Sequence, residues 1–119
     1  MQSIAFVVPL LPGKAEMDRQ AMESCWRGER KAAHRAARER QGVTRETVWA
    51  QKTPAGDVAV VLLEAHDLKR AFQGIASSDD PFDEWFRAHS LEVHGIDLTQ
   101  PLPLPELVLD FRSDSAENG

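Results

Sequence analysis

The stretch at residues 81–94 is where this sequence concentrates side chains that could do chemistry. Trp85, Phe86 and His89 recur at the spacing of one helical face. Beside a cavity they could hold a small ligand, and the imidazole could carry a proton or ligate haem. The same spacing is typical of an ordinary core, in which aromatic rings pack around a hydrogen-bonded histidine. The sequence leaves both interpretations open.

A second candidate lies in the long basic stretch "CWRGERKAAH". The inward position that follows Trp26 falls on Glu29 or Arg30, and a polar side chain on an inner stripe is costly unless it is paired. Arg30 could bind an anionic ligand through its fork of donors, with His34 one turn further on. Alternatively, a bend at Gly28 turns these charges toward solvent.

Two further pairs carry weaker signals. Trp49 and Gln51 share one face of a predicted strand, so a buried Gln51 amide would need partners from a ligand or from the protein. His94 lies near Asp97 at a helix end. That pair could act as acid and base, or the histidine could simply complement the helix dipole.

These observations define the candidate site. The catalytic candidates are His34, His89 and His94. The ligand-binding candidates are Trp26, Arg30, Trp49, Gln51, Trp85 and Phe86. No metal site and no cofactor are predicted, because four scattered histidines and a single cysteine lack the spacing of zinc ligands.

Composition restricts the class of protein. The 119 residues predict one domain over 1–112 with a polar tail over 113–119. A net charge of −5 argues against nucleic-acid binding, and a single cysteine, Cys25, suits a reducing compartment. The apolar start of the chain lacks a preceding basic residue, and no run approaches the length of a membrane span. We therefore expect a cytoplasmic protein with no membrane or nucleic-acid partner.

The elements that position these residues follow in the order β–α–β–β–α–α–β. Apolar runs near 3–8, 43–53, 57–65 and 106–111 predict strands, and "PAGD" predicts the turn of a hairpin. Helices are predicted over 12–42, 67–76 and 81–94, the last with Asp80 as N-cap and Gly95 as its stop. This order favours an α+β, ferredoxin-like, four-stranded antiparallel sheet with helices on one face.

The strands of this predicted sheet are apolar on both faces. Val58, Val60 and Leu62 alternate with Ala59 and Val61, whereas a sheet with one wet face should alternate apolar and polar residues. The helices can cover only one face. We therefore expect a homodimer in which the uncovered sheet faces pack together.

The motifs "FVVPLLPGK", "TRETVWAQKTPAGDVAVVLLEA", "SSDDPFDEWF" and "HGIDLTQP", with the topology over 3–112, resemble the dimeric α+β barrel superfamily. They are most similar to an uncharacterised small bacterial family within it. The resemblance implies the barrel-like dimer but no chemistry. The chain departs from the cofactor-free monooxygenases of that superfamily, whose sites tend to use Asn, Tyr and Trp, because it has no tyrosine and its one asparagine is Asn118.

Three functional hypotheses follow. The first is a small-molecule-binding homodimer whose cavity, between sheet and helices, takes an apolar or weakly anionic metabolite. The second is an enzyme that uses a cavity histidine, such as a cofactor-free oxygenase, an isomerase or a haem-linked protein. The third is a non-catalytic interaction or structural dimer. Fold alone does not choose among them.

Overall fold

The computed structural model describes residues 1–114, which form a three-stranded antiparallel sheet with four helices on one of its faces. The elements are β1 (Gln2–Pro9), α1 (Ala15–Arg27), α2 (Lys31–Arg40), β2 (Val43–Thr53), β3 (Gly56–Ala65), α3 (Leu68–Ser77) and α4 (Pro81–His94). The strand order is β1-β3-β2, so β3 is central and β1 and β2 are edges. The predicted β2–β3 hairpin is present, with Thr53 opposite Gly56.

The predicted four-stranded ferredoxin-like sheet is wrong, because the fourth strand does not form. Residues 106–111 have no regular secondary structure and pair with no strand in the described chain. Pro101, Pro103 and Pro105 precede them, and proline rings hold the backbone extended and remove three hydrogen-bond donors. The segment therefore has strand-like composition without a turn that would return it to the sheet.

The predicted long helix is divided at Gly28. Ser24 O accepts hydrogen bonds from the backbone N–H groups of both Gly28 and Arg30, which ends α1. A Cβ at residue 28 would lie 2.8 Å from Ser24 Cα, so only glycine fits this close approach. The break divides the stretch into α1 and α2, both of which contact β2.

The start and stop signals predicted for α4 are confirmed. The Asp80 side chain accepts a hydrogen bond from the backbone N–H of Phe82, and Pro81 occupies the first turn. Gly95 ends the helix in the left-handed conformation, at φ +70°. These fixed ends set the rotation of α4 and hence the direction in which His89 points.

The two sheet faces have different surroundings. The face under the helices carries Ile4, Phe6, Val8, Glu46, Val48, Ala50, Ala59, Val61 and Leu63. The opposite face, here called the outer face, carries Ala5, Val7, Trp49, Val60 and Leu62. On it Val7 is 60% exposed and Trp49 is 50% exposed, so no helix covers it.

Two expectations from the sequence concern the chain ends and membranes. Most of the predicted polar tail, residues 115–119, lies outside the described residues. Within residues 1–114, no helix combines the length and the apolar character needed to cross a bilayer.

Candidate functional site

Two adjoining cavities lie between the helices and the sheet. The β2-side cavity, about 710 Å³, is bounded by α1, α2 and β2. The β1-side cavity, about 740 Å³, is bounded by β1, β3, α4 and the chain over 96–105. Their common wall is formed by Asp18, Met22, Glu46, Val48 and Phe86. Both volumes fall within the range of small-molecule sites, which is roughly 300–1,000 Å³.

The β1-side cavity is mainly apolar. The sheet contributes Phe6, Val8, Ala59, Val61 and Leu63, and the chain beyond α4 contributes Ile96, Leu98, Leu102 and Leu104. Against this lining stand only a few polar side chains, among them Asp18, His89 and Ser90. An apolar site with a few convergent polar groups is the usual design of a ligand pocket.

Asp18 and His89 form a buried pair on that wall. His89 Nε2 on α4 lies 2.8 Å from Asp18 Oδ1 on α1, and each side chain is 7% exposed. Trp85 stacks on the imidazole with ring centroids 5.3 Å apart, which fixes the ring plane. A carboxylate that holds an imidazole in one orientation is the arrangement that general acid–base catalysis uses.

Glu46 forms a second pair with His34, but here a guanidinium joins it. Glu46 Oε1 lies 2.6 Å from His34 Nε2 and accepts a 2.9 Å hydrogen bond from Arg38 Nε. Burial by itself would raise the pKa of Glu46. The charge of Arg38 and the hydrogen bonds from His34 and Arg38 outweigh burial and lower the pKa to about 2. Glu46 is therefore a fixed negative charge at neutral pH.

The same guanidinium ties α2 to α4. Arg38 Nη1 donates to Gln41 Oε1 at 3.0 Å and lies 3.8 Å from the fully buried Asp83. Gln41 Nε2 in turn donates to Asp83 Oδ1 at 3.0 Å, and Arg38 lies over the Phe86 ring at 4.5 Å. These contacts hold Arg38 on several sides, so we assign the network around Glu46 to holding the helices in place.

The predicted ligand-binding residues are only partly brought together. Phe86 lines both cavities, and Trp26 lines the β2-side cavity although it is 70% exposed. Trp85 lies behind His89. Arg30 stacks over Trp85 at 4.0 Å and donates to Ser24 Oγ at 3.0 Å, so it turns away from the cavities.

Trp49 and Gln51 lie on the other side of the sheet. Trp49 pairs with Val60 and Gln51 with Val58, which places both on the outer face. The predicted convergence of Trp49 and Gln51 with Trp26, Arg30 and Trp85 does not occur. A strand alternates sides at every residue, so Val48 and Glu46 face the cavities because Trp49 and Gln51 do not.

The third histidine candidate is less enclosed. His94, at the end of α4, is exposed on part of its ring, and its Nδ1 lies 2.7 Å from the carbonyl oxygen of Pro9. It borders the β1-side cavity. Its contact fastens α4 to the end of β1, and Asp97 instead binds Thr99.

Asp18, Glu46 and Arg38 are functional candidates that the sequence did not single out. Asp18 carried a usable signal, because it falls on the same helical stripe as the apolar residues Ala15, Met22 and Cys25. Glu46 carried no comparable signal, since both faces of its strand contain apolar residues. Cys25 is buried near Glu46 and Arg38. Burial raises the pKa of its thiol, which keeps the thiol protonated and unreactive.

Comparisons with family models, with curated proteins and with solved structures gave no match. Residues 1–114 contain no group of three or more His, Cys, Asp or Glu side chains placed to hold a metal ion. The chemistry of the site therefore has to be inferred from the two cavities themselves.

Proposed function

We propose that this protein binds a small, neutral, largely apolar molecule in the β1-side cavity, through a hydroxyl or similar group that reaches Asp18 and His89. The observation that carries the proposal is a buried carboxylate–imidazole pair on the wall of an apolar cavity of about 740 Å³. Polar side chains are costly inside an apolar lining unless they form hydrogen bonds, and a few such groups in an apolar pocket usually orient a ligand.

Charge favours a neutral ligand over the anionic one that Arg30 had indicated. Among the residues that line the β1-side cavity, Arg38 is the one guanidinium, and Glu46 already neutralises it. Arg30 is held by Ser24 and Trp85. A carboxylate ligand would enter beside Asp18 and Glu46 without a free cation, which is unfavourable in a site that excludes water.

The proposal can be tested with a matched pair of probes. We expect 2-naphthol to bind with a Kd below about 1 mM, since eleven heavy atoms at about 0.4 kcal/mol each supply about 4 kcal/mol. We expect 2-naphthoate, which has the same rings but a charged group at pH 7, to bind at least about tenfold more weakly. Isothermal titration calorimetry measures both. Equal affinity, or tighter binding of the carboxylate, contradicts the proposal.

Two variants locate the binding. Val48→Phe inserts a ring into the common wall of the cavities, and Val60→Phe makes the same change on the outer face. We expect the first to abolish 2-naphthol binding and the second to leave it unchanged, once circular dichroism shows both to be folded. If Val60→Phe is the variant that loses binding, the ligand lies on the outer face and not in the cavity.

An enzyme that transfers protons is the second candidate function. The 2.8 Å contact between His89 and Asp18 supports it, because a carboxylate that orients an imidazole can serve a general base. Among the oxygenase, the isomerase and the haem-linked protein, this contact favours the isomerase, because an isomerase relies on proton transfer by a positioned base.

Deuterium exchange tests this second candidate directly. We expect the protein to exchange the α-protons of 2-tetralone in D₂O faster than buffer alone, as followed by NMR. His89→Gln should remove at least about 90% of that acceleration, because a positioned base contributes roughly 10²–10⁴-fold. His66→Gln, on an exposed loop residue, is the control. Equal acceleration by both variants excludes His89 as the base.

The homodimer is also proposed, with the outer face as its interface. The exposed Val7 and Trp49 and the neighbouring Val60 and Leu62 support it, because a continuous apolar sheet face is seldom left in water. We expect light scattering to give twice the mass of one chain, and Trp49→Glu to reduce it to one. Trp26→Glu, the same change on a tryptophan of α1, should leave the dimer intact. A dimer that binds none of the probes supports the third hypothesis, a non-catalytic assembly.

A further inference from the structure

The segment Glu106–Phe111 exposes an unusual amount of apolar surface. Leu107, Val108, Leu109 and Phe111 are 76%, 88%, 81% and 81% exposed. Within residues 1–114 the segment has no partner strand. Soluble proteins rarely leave four large apolar side chains within five residues in water, so a partner surface is expected.

The chain before this segment contains no turn that would fold it back onto its own sheet. Pro101, Pro103 and Pro105 alternate with leucines, and no glycine occurs between Gly95 and Gly119. Such a run is extended and stiff, and it offers no tight turn. Residues 101–111 at about 3.3 Å each span on the order of 35 Å, which is several strand spacings. We call residues 101–111 the arm.

The arm has the periodicity of a strand. Leu107, Leu109 and Phe111 fall on one side, and Glu106, Val108 and Asp110 on the other. Apart from Val108, polar and apolar side chains alternate, which is the pattern of a strand with one buried face. A strand needs backbone hydrogen bonds from a neighbour, and the arm finds none in residues 1–114.

The free edge of β1 is the surface that such a strand would fit. β1 pairs with β3 on one side only, and it contains no charged residue. The other edge strand, β2, carries Arg45, Glu46 and Lys52. Charged residues on edge strands are a common protection against pairing, so β2 is protected and β1 is not.

The position of the arm fits this assignment. Leu102–Pro105 border the β1-side cavity together with Ala5–Pro9, so the arm leaves the subunit next to β1. In a two-fold assembly every contact is made twice, so an arm that pairs with β1 of the partner leaves its own β1 edge to the partner's arm. Val7, which is exposed on the outer face, belongs to β1. Pairing at the edge of β1 therefore continues the proposed dimer interface.

We propose that Glu106–Phe111 pairs as a strand with the free edge of β1 in a second copy of this chain, and that the two copies exchange arms reciprocally. The exchange covers the exposed apolar side chains of the arm and closes the β1 edge of each subunit. It is independent of what the cavity binds.

Cross-linking of two single-cysteine chains tests the exchange. In a Cys25→Ala background, one chain carries Ala5→Cys on β1 and an isotope-labelled chain carries Leu109→Cys on the arm. After the two are unfolded and refolded together, a short bismaleimide, which tolerates a register error of a residue or two, should join them. The link is necessarily between chains. Lys52→Cys on β2 replaces Ala5→Cys in the control, for which we expect at least about tenfold less cross-linking.

A second measurement does not depend on register. Adjacent amides of a strand point to opposite sides, so either Val108→Pro or Leu109→Pro must remove a hydrogen bond to β1. We expect at least one of them to raise the Kd of the dimer at least about tenfold in analytical ultracentrifugation, whereas Val108→Thr, which keeps the amide, should not. A single-chain mass for the unmodified protein, or a dimer that neither proline weakens and that cross-links no better to β1 than to β2, overturns the proposal.

Discussion

The two cavities share a wall, yet their polar groups are built for different tasks. Glu46, on the common wall, is bonded to His34 of the β2-side cavity and to Arg38, and the pKa of its carboxyl is lowered to about 2. Asp18, on the same wall, has one side-chain partner among the described residues, His89 of the β1-side cavity, whose lining is mainly apolar. Similar residue types therefore give a fixed ionic network around one carboxylate and a simple pair around the other.

A histidine beside a carboxylate is therefore not by itself evidence of a ligand site. What distinguishes the two pairs is the guanidinium of Arg38, which Gln41 and Asp83 hold in turn. A charge that is bonded on several sides stabilises structure and has little capacity left for a ligand. The pair without such support is the one we assign to binding.

The largest expected effect comes from breaking the ionic network. Glu46→Gln leaves the buried guanidinium of Arg38 without its close counter-charge, so we expect the free energy of unfolding to fall by about 3–5 kcal/mol. Glu39→Gln is the matched control, because Glu39 forms an exposed pair with Arg35 that contributes less than about 1 kcal/mol. Urea denaturation at pH 7 measures both. Equal losses would show that the network is not structural.

The second prediction concerns acid. The pKa of Glu46 is lowered from its ordinary value of 4.5 to about 2 in the folded protein. A lowered pKa gives stability that is fully present above pH 4.5 and is lost as the pH falls toward 2. We expect up to about 3 kcal/mol to disappear over that interval. Denaturation curves of Glu46→Gln should lack this component, and a parallel pH dependence in both proteins would contradict it.

A third variant changes the backbone between α1 and α2, and it should affect His34 more than His89. Gly28→Ala places a methyl group 2.8 Å from Ser24 Cα, so α2 must shift relative to α1. We expect a loss of about 1–3 kcal/mol and a disturbed His34 resonance, with His89 little changed. Gln20→Ala, at an exposed position of α1, is the control, and we expect it to leave both resonances in place. A larger change at His89 than at His34 would show that the break does not serve the network.

The smallest expected effect on stability is that of the pair we assign to binding. Asp18→Asn keeps the shape and can still hydrogen-bond His89, so we expect a loss of only about 1 kcal/mol. Its affinity for 2-naphthol should nevertheless fall at least about tenfold. A variant that loses several kcal/mol, or keeps full affinity, would place Asp18 with the structural groups.

Local signals in the sequence predicted the elements, and long-range contacts decided the rest. Asp80, Pro81 and Gly95 define α4 from neighbouring residues alone, and a bend at Gly28 was foreseeable for the same reason. The strand at 106–111 was wrongly predicted because composition indicates a strand without saying where its partner lies. Pairing depends on the chain path, and the prolines before this segment allow no tight turn that would bring it back alongside a strand.

The site was harder to predict than the fold for a related reason. Trp49 was expected beside the helices. However, β2 carries side chains that could line a cavity on both of its faces, and only its register against β3 decides which face the helices cover. The Asp18–His89 contact joins residues 71 positions apart. No local sequence pattern can indicate a contact across so large a separation. The position of Asp18 on an apolar stripe nevertheless indicated that it would be buried.

The most direct test of this account is the NMR spectrum of the histidine rings during titration with 2-naphthol at pH 7. Assignments come from His34→Gln, His66→Gln and His89→Gln variants. We expect the ring resonances of His89 to shift and saturate with the Kd found by calorimetry, while those of His34, fixed by Glu46, stay in place. Saturable shifts at His34 with none at His89 would contradict the assignment of His89 to ligand binding and of His34 to the structural network.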